Sequence, residues 1–156
     1  MLWPRFDPKH ILGLNMPGEV EAGELVVTRR EEAERLLERS EGFFETAKMQ
    51  AGRGFYDLAV FSLEQSLQLY LKSCLLRLGV DYPRTHSVRR LLEIIRDVTG
   101  RGDVEEILSR YAVELGSLED AYIASRYVAR AYTAGEFERL EKTVGEVRDV
   151  VGRVLG

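Results

Sequence analysis

The chain has 156 residues, which is enough for one domain with a hydrophobic core and too few for two domains of comfortable size. Its 45% hydrophobic and 31% charged residues are typical of a globular protein, and a net charge of −4 argues against a general nucleic-acid coat. The single cysteine, Cys74, excludes a disulfide framework within the chain, and no uncharged run reaches the length of a membrane span, so we expect a cytoplasmic protein.

The segment 1–27 is predicted to form an irregular N-terminal arm. Pro4, Pro8 and Pro17 forbid a long helix there. The arm also holds many apolar residues, Trp3 among them, which is unusual for a free tail. These side chains would cover either the body of the same subunit or a second subunit. The chain is thus divided into this arm and a helical body over residues 28–156.

The body is predicted to begin with two helices that form an antiparallel hairpin. Thr28 with Glu31 fits an N-cap and capping box, and Arg29–Gln50 repeats apolar and small residues at spacings of three and four. The next stretch, Phe55–Leu78, has an apolar arc of about 200°, whereas an ordinary surface helix needs a stripe of about 100°. The second helix must therefore be covered by two or more others.

One narrow polar strip remains on this central helix. It carries Asp57, Glu64, Gln65, Gln68 and Lys72. Polar residues on an otherwise apolar helix either line a pocket or form a dimer contact or the solvated edge of the bundle.

The second half of the chain is also predicted to be helical. A short helix is expected over Val88–Val98 and a last one over Glu136–Leu155. Between them, apolar residues from Val104 to Tyr132 keep one phase, which favours a single long helix bent at Gly116–Ser117 over two collinear helices with a short break. No segment alternates convincingly with period two. The predicted fold class is therefore all-α: an antiparallel up-and-down bundle of four to five helices with the irregular arm.

His86 is the first candidate for a functional role, because it lies in a loop that enters a helix. A histidine there is either a general base or phosphate contact, or a structural residue that hydrogen-bonds the helix start or a backbone carbonyl. His10 in the arm is the only other histidine, and two isolated histidines do not predict a metal site.

A second group of candidates crowds the late part of the long helix. Its members are Asp120, Tyr122, Arg126, Tyr127 and Arg130. Arg126 and Arg130 are like charges four residues apart, an arrangement that is unfavourable unless an anion lies beside them. That anion is either a carboxylate from a neighbouring helix or subunit, or a phosphate, which guanidinium groups bind bidentately.

Three pieces of the sequence together resemble the HEPN domain. They are the aromatic-Asp-x-Ala-x-Phe, Glu-Gln-Ser and Leu-x-Leu-Lys pattern of Phe55–Lys72, the loop Tyr82–Ser87, and Asp120–Tyr127, in the order of the family. The resemblance implies a helical bundle that is commonly a homodimer. It also implies frequent pairing with a minimal nucleotidyltransferase in modules of the toxin–antitoxin type, and nucleotide binding or metal-independent RNase activity in family members.

The RNase branch of the family uses an arginine followed, four to six residues later, by a histidine on a late helix. Arg126 matches the arginine, but Tyr132 stands where the histidine is expected. A phenol with a pKa of about 10 is a poor substitute for an imidazole base. His86 can supply the missing base only if the fold brings it beside Arg126, so the incomplete motif argues against enzymatic activity.

Our leading hypothesis is a domain that dimerises and binds a nucleotide or a nucleotidyltransferase partner, without a cofactor. The predicted ligand-binding residues are Arg126, Arg130, Tyr122, Tyr127, Asp120, Gln65 and Lys72, with the arginines on phosphate and a tyrosine stacked on a base. The alternatives are a metal-independent RNase that uses Arg126 with His86, and a purely structural subunit in which each arginine has an acidic partner. Many charges and a single asparagine, Asn15, suggest a thermophilic source.

Overall fold

The structure, a computed structural model, describes the backbone of residues 22–127 and 130–156 and the side chains of residues 28–124 and 130–156. These residues form six helices and no strand. The helices are α1 (Ala22–Gly52), α2 (Tyr56–Arg77), α3 (Val88–Thr99), α4 (Gly102–Arg110), α5 (Ala112–Tyr127) and α6 (Ala134–Leu155). The predicted all-α class is confirmed. None of the described helices has both the length and the apolar composition needed to cross a membrane.

The first helix begins earlier than the sequence predicts. α1 already includes Ala22, so Thr28 lies inside the helix and is not its N-cap. No proline follows Pro17 in this part of the chain, and a single glycine such as Gly23 costs a helix only about 1 kcal/mol. The remainder of the proposed arm, residues 1–21, lies outside the described residues.

α1 and α2 form the expected antiparallel hairpin, and serine side chains join them. The Ser40 hydroxyl donates to the Ser66 carbonyl oxygen at 2.6 Å, and the Ser66 hydroxyl donates to the Ser40 carbonyl oxygen at 2.7 Å. Further along, the Ser73 hydroxyl donates to the carbonyl oxygen of Ala33 at 2.8 Å. Small side chains at these positions let the two helices approach closely, and each buried hydroxyl has a partner.

α2 is the central helix of the bundle, as the width of its apolar arc predicts. It contacts α1, α3, α5 and α6, and 14 of its 22 residues are buried. α6 runs parallel to α2, because Tyr56 lies beside Phe137 while the Tyr70 hydroxyl donates to the carbonyl oxygen of Arg148 at 3.0 Å. Cys74 is buried, and burial raises the pKa of its thiol to about 11, so it is a structural core residue.

The predicted long helix from Val104 to Tyr132 is instead two helices, and the interruption falls at Tyr111 and not at Gly116–Ser117. Tyr111 has φ −106° and ψ 25°, outside helical geometry. Its amide still donates to the Ile107 carbonyl oxygen at 2.9 Å. A one-residue interruption of this kind leaves the apolar phase almost unchanged, which is why the periodicity did not reveal it.

Two side-chain caps fix the starts of α3 and α6. The Ser87 hydroxyl accepts a hydrogen bond from the amide of Arg90 at 3.1 Å, which makes Ser87 the N-cap of α3. Thr133 and Glu136 form a capping box for α6, with bonds of 3.1 and 3.2 Å. α6 therefore begins at Ala134, slightly before the predicted start. The cap of α3 directly follows His86 in the chain.

Candidate functional site

His86 lies where the loop before α3 meets both α2 and α5. Its ring stacks on the ring of Tyr122, with 4.4 Å between the ring centroids and 23° between the ring planes. Phe61 of α2 lies on the same cluster, 6.2 Å from the Tyr122 ring. His86 is exposed and Tyr122 is half-buried, so the His86–Tyr122 stack ends at the surface of the bundle.

The polar strip of α2 forms a continuous set of hydrogen bonds beneath this stack. Gln68 Nε2 donates to Glu64 Oε1 at 2.7 Å, and Gln65 Nε2 donates to Glu64 Oε2 at 2.7 Å. Lys72 Nζ donates to Gln68 Oε1 at 2.8 Å, and His86 Nδ1 is 3.4 Å from the same oxygen. Residues 64, 68 and 72 share one face of the helix because they are four apart. We call Glu64, Gln65, Gln68 and Lys72 the α2 polar chain.

Two of the four residues of the α2 polar chain are buried by the surrounding protein, so this strip is not a solvated edge. Glu64 is 0% exposed and Gln68 is 4% exposed. The loop between α2 and α3 covers the outer end, where the Lys72 ammonium lies 5.3 Å from the centre of the Tyr82 ring. The pattern of the sequence placed these residues on one strip but did not show that the loop and α5 would close over it.

Burial shifts the pKa values of the two ionisable residues of the α2 polar chain, Glu64 and Lys72. It raises the pKa of Glu64 from 4.5 to about 7, although the hydrogen bonds from Gln68 and Gln65 and the nearby Lys72 favour the ionised form. The negative charge of Glu119 adds slightly to the rise. Burial also lowers the pKa of the Lys72 ammonium, which the carboxylate of Glu64 partly opposes. Burial therefore favours the protonated Glu64 carboxyl over a pH range in which a solvent-exposed glutamate is ionised.

Glu119 of α5 anchors the loop that carries His86. Its Oε1 accepts hydrogen bonds from the Ser87 hydroxyl at 2.7 Å and the Arg89 amide at 3.1 Å, and its Oε2 lies 2.7 Å from Arg89 Nη2. Burial alone would raise the pKa of Glu119, but these hydrogen bonds outweigh it and hold the pKa below its usual value. The ionised carboxylate thus ties the start of α3 to α5 and fixes the neighbouring His86.

Arg130 contacts a residue in the first turn of α6 and a residue just before that helix. Its Nη2 lies 3.1 Å from Glu136 Oε2, and its guanidinium lies 4.4 Å from the centre of the Tyr132 ring. Of the two anions that the sequence left open for Arg130, the structure shows a carboxylate. Asp120 is exposed on α5.

The predicted contacts of Arg126 and Tyr127 lie outside the described residues, whose side chains end at residue 124 on α5. The helical backbone continues as far as Tyr127. Position 126 is therefore one turn beyond Tyr122 and on the same side of α5. The fold thus brings His86, Tyr122, Gln65 and Lys72 into one region, with position 126 on the adjoining turn.

Sequence reasoning named Glu64 and Gln68 on the polar strip as possible pocket residues but did not include them among the predicted ligand-binding residues, and it missed Glu119 altogether. The sequence contained a signal for Glu64 and Gln68, because they lie at four-residue spacing from Lys72 on a helix that is apolar over most of its circumference. No comparable signal existed for Glu119, whose partners lie about 30 positions away in the chain.

Comparison with known proteins supports the fold and the sequence motifs. The family model described as HEPN domain matches residues 33–154, which extend from α1 to the last turn of α6. No curated protein and no solved structure matches the chain significantly. Within the described residues, no group of three or more histidine, cysteine, aspartate or glutamate side chains is arranged to hold a metal ion. The matched segment covers most of the chain and contains all three motifs of the predicted resemblance, and the chain therefore belongs to the HEPN domain family.

Proposed function

We propose that this HEPN domain binds a nucleotide at the face formed by α2, α5 and the loop before α3. The observation that supports the proposal is the His86–Tyr122 stack. Its ring centroids are 4.4 Å apart, and His86 is exposed. An aromatic surface beside cationic side chains is the usual arrangement for holding a base and its phosphates. The imidazole would extend the stack onto the base.

A cationic group for the phosphates, that of Lys72, lies beside the stack, because Lys72 and His86 both contact Gln68 Oε1. Among the described side chains, Lys72 has no carboxylate within ion-pair distance, and its ammonium is held by Gln68 and the Tyr82 ring. Arg126 would approach from the neighbouring turn of α5. Arg130 is a weaker candidate than the sequence suggested, because Glu136 already supplies the negative charge that its guanidinium requires.

The proposal includes a homodimer, as the family resemblance implies. Ile123, a large apolar side chain next to Tyr122, is 58% exposed. A second subunit would remove this apolar surface from water. A nucleotidyltransferase partner and a role in a toxin–antitoxin module stay predictions that rest on the resemblance alone. The purely structural alternative is supported by the ion pair between Arg130 and Glu136.

We expect calorimetric titration with ATP to show binding that weakens about 10-fold or more in both His86→Ala and Arg126→Ala. Loss of a stacked ring removes about 1–3 kcal/mol per base, and loss of a hydrogen bond to a charged group removes about 1.5–3 kcal/mol. A short single-stranded RNA titrated in parallel separates a preference for free nucleotide from a preference for a nucleic-acid strand.

Arg110→Ala is the matched control, because Arg110 is an exposed helical arginine paired with Glu106 away from the stack. Its ATP affinity should equal that of the unmodified protein. Light scattering on the same samples reports whether each variant is still the proposed dimer. An ATP affinity that is unchanged in both His86→Ala and Arg126→Ala would rule out the nucleotide site.

A second candidate function, RNA cleavage without a metal, is supported by the stacking of His86 on Tyr122, which lies one helical turn before position 126. If His86 Nδ1 donates its proton to Gln68 Oε1, which lies 3.4 Å away, Nε2 is left unprotonated and can accept a proton from a ribose 2′-hydroxyl. Arg126 would then stabilise the phosphate as charge develops on it. In this arrangement His86 takes the place of the histidine that is missing at position 132.

For this candidate, we expect the protein to cleave a structured RNA in the presence of a chelator, and His86→Ala to abolish the cleavage. His10→Ala is the control, since it removes the other histidine of the chain and should leave cleavage unchanged. Gel electrophoresis of labelled RNA measures both. Absence of cleavage, or cleavage that persists undiminished in His86→Ala, eliminates the RNase assignment and leaves the nucleotide site to be judged by calorimetry.

A further inference from the structure

A separate cleft lies between α1 and the C-terminal half of α2, and none of its described lining residues belongs to the His86–Tyr122 stack. Its volume is about 680 Å³, within the range of about 300–1,000 Å³ that is typical of small-molecule sites. It is formed by the first turns of α1 that have described side chains and by the last turns of α2.

The floor of the cleft is apolar. Ala33 and Leu76, which line it, are 4% and 7% exposed, and Leu37 beside them is half-buried. The hydroxyl of Ser73, which also lines the cleft, already donates to the Ala33 carbonyl oxygen at 2.8 Å. The floor therefore suits an alkyl chain, whose burial there is favourable and leaves the Ser73 hydroxyl with its hydrogen-bond partner.

The rim of the cleft is cationic. Among the lining side chains that the structure describes, three are arginines, Arg29, Arg30 and Arg77, and one is a carboxylate, Glu34. Arg29 is paired at 3.0 Å with Asp81, which is 79% exposed, and an ion pair that exposed to water is weak. Among the described side chains, Arg30 and Arg77 form no ion pair. The rim thus has an excess of guanidinium groups, which bind phosphate through paired hydrogen bonds.

We propose that this cleft binds a monomeric alkyl phosphate monoester, with its chain on the apolar floor and its phosphate between Arg30 and Arg77. The assignment joins two independent observations, the apolar floor and the cationic rim, that together match an amphipathic anion. It does not depend on the proposed nucleotide site.

Calorimetric titration of the full chain with decyl phosphate, below the concentration at which it forms micelles, tests the proposal. We expect saturable binding that weakens about tenfold in Arg30→Ala and in Arg77→Ala, because each loses a hydrogen bond to a charged phosphate. Glu34→Gln should bind more tightly, because the change removes a negative charge from the rim. A structural role for these exposed residues would not produce opposite effects on affinity.

Control ligands separate the parts of the proposed molecule. Inorganic phosphate, which lacks the chain, and decyltrimethylammonium, which has the opposite charge, should each bind at least about tenfold more weakly than decyl phosphate. Arg101→Ala, which lies at the start of α4 outside the cleft, should leave the affinity unchanged. The protein should not co-sediment with vesicles of anionic phospholipid. The proposal is overturned if decyl phosphate does not bind, if its affinity is unaffected in both arginine variants, or if only vesicles bind.

Discussion

Replacing Leu71 with alanine is expected to lower the free energy of unfolding by about 2–5 kcal/mol. Leu71 is 0% exposed and lies on the one helix that contacts α1, α3, α5 and α6. The surrounding helices hold one another in place, so they cannot collapse into the cavity that the lost side chain leaves. Urea denaturation followed by circular dichroism measures the change.

Leu58→Ala is the matched control for this variant, because it makes the same chemical change on the same helix. Leu58 is 48% exposed in the first turn of α2, so its replacement should cost well under half as much as that of Leu71. Equal losses of stability in the two variants would contradict the description of α2 as the covered centre of the bundle.

Replacing Glu64 with glutamine is expected to remove a large pH dependence of stability. Burial raises the pKa of Glu64 from 4.5 to about 7 in the folded protein, so between these values the folded state holds a proton that the unfolded state has released. Stability therefore falls as the pH rises through this window, and the loss is complete above about pH 7. The full change is about 3 kcal/mol, from 1.36 kcal/mol for each pH unit.

The measurement compares the unfolding free energies of Glu64→Gln and the unmodified protein at pH 4.5 and pH 8. Relative to the unmodified protein, the variant should gain about 3 kcal/mol on going from the lower to the higher pH. Glu38→Gln, an exposed change on α1, should show no such gain. If Glu64→Gln instead keeps a constant difference from the unmodified protein, the buried carboxyl is not the source of the pH dependence.

The sequence was sufficient to predict the elements whose cause is local. The unbroken apolar arc of Phe55–Leu78 predicted a central helix, and the spacing of small residues before it predicted a tightly packed hairpin. Both depend on periodicity and on glycine and proline positions, which a sequence displays directly. The resemblance to the HEPN domain rested on motifs in these same elements and is confirmed by the family match over residues 33–154.

The features that the sequence did not reveal depend on contacts between distant residues or on small departures from periodicity. The break at Tyr111 keeps the apolar phase, so no pattern marks it. The burial of Glu64 arises only when the loop before α3 and α5 close over α2. The anchoring of that loop by Glu119 joins residues about 30 positions apart. Each of these is decided by tertiary packing, which overrides the local preference of the chain.

The reciprocal bonds between Ser40 and Ser66 also fix the axial register of the α1–α2 hairpin. If either helix slid along the other by one residue, the hydroxyls of Ser40 and Ser66 would stay buried but lose their hydrogen-bond acceptors. Each unsatisfied hydroxyl would cost about 1–3 kcal/mol. Positions of the two helices that differ by less than one residue from the native register are therefore disfavoured as well. A rearrangement of this hairpin is therefore expected to be a hinge motion about its short connection at residues 53–55. Sliding of one helix along the axis of the other is disfavoured.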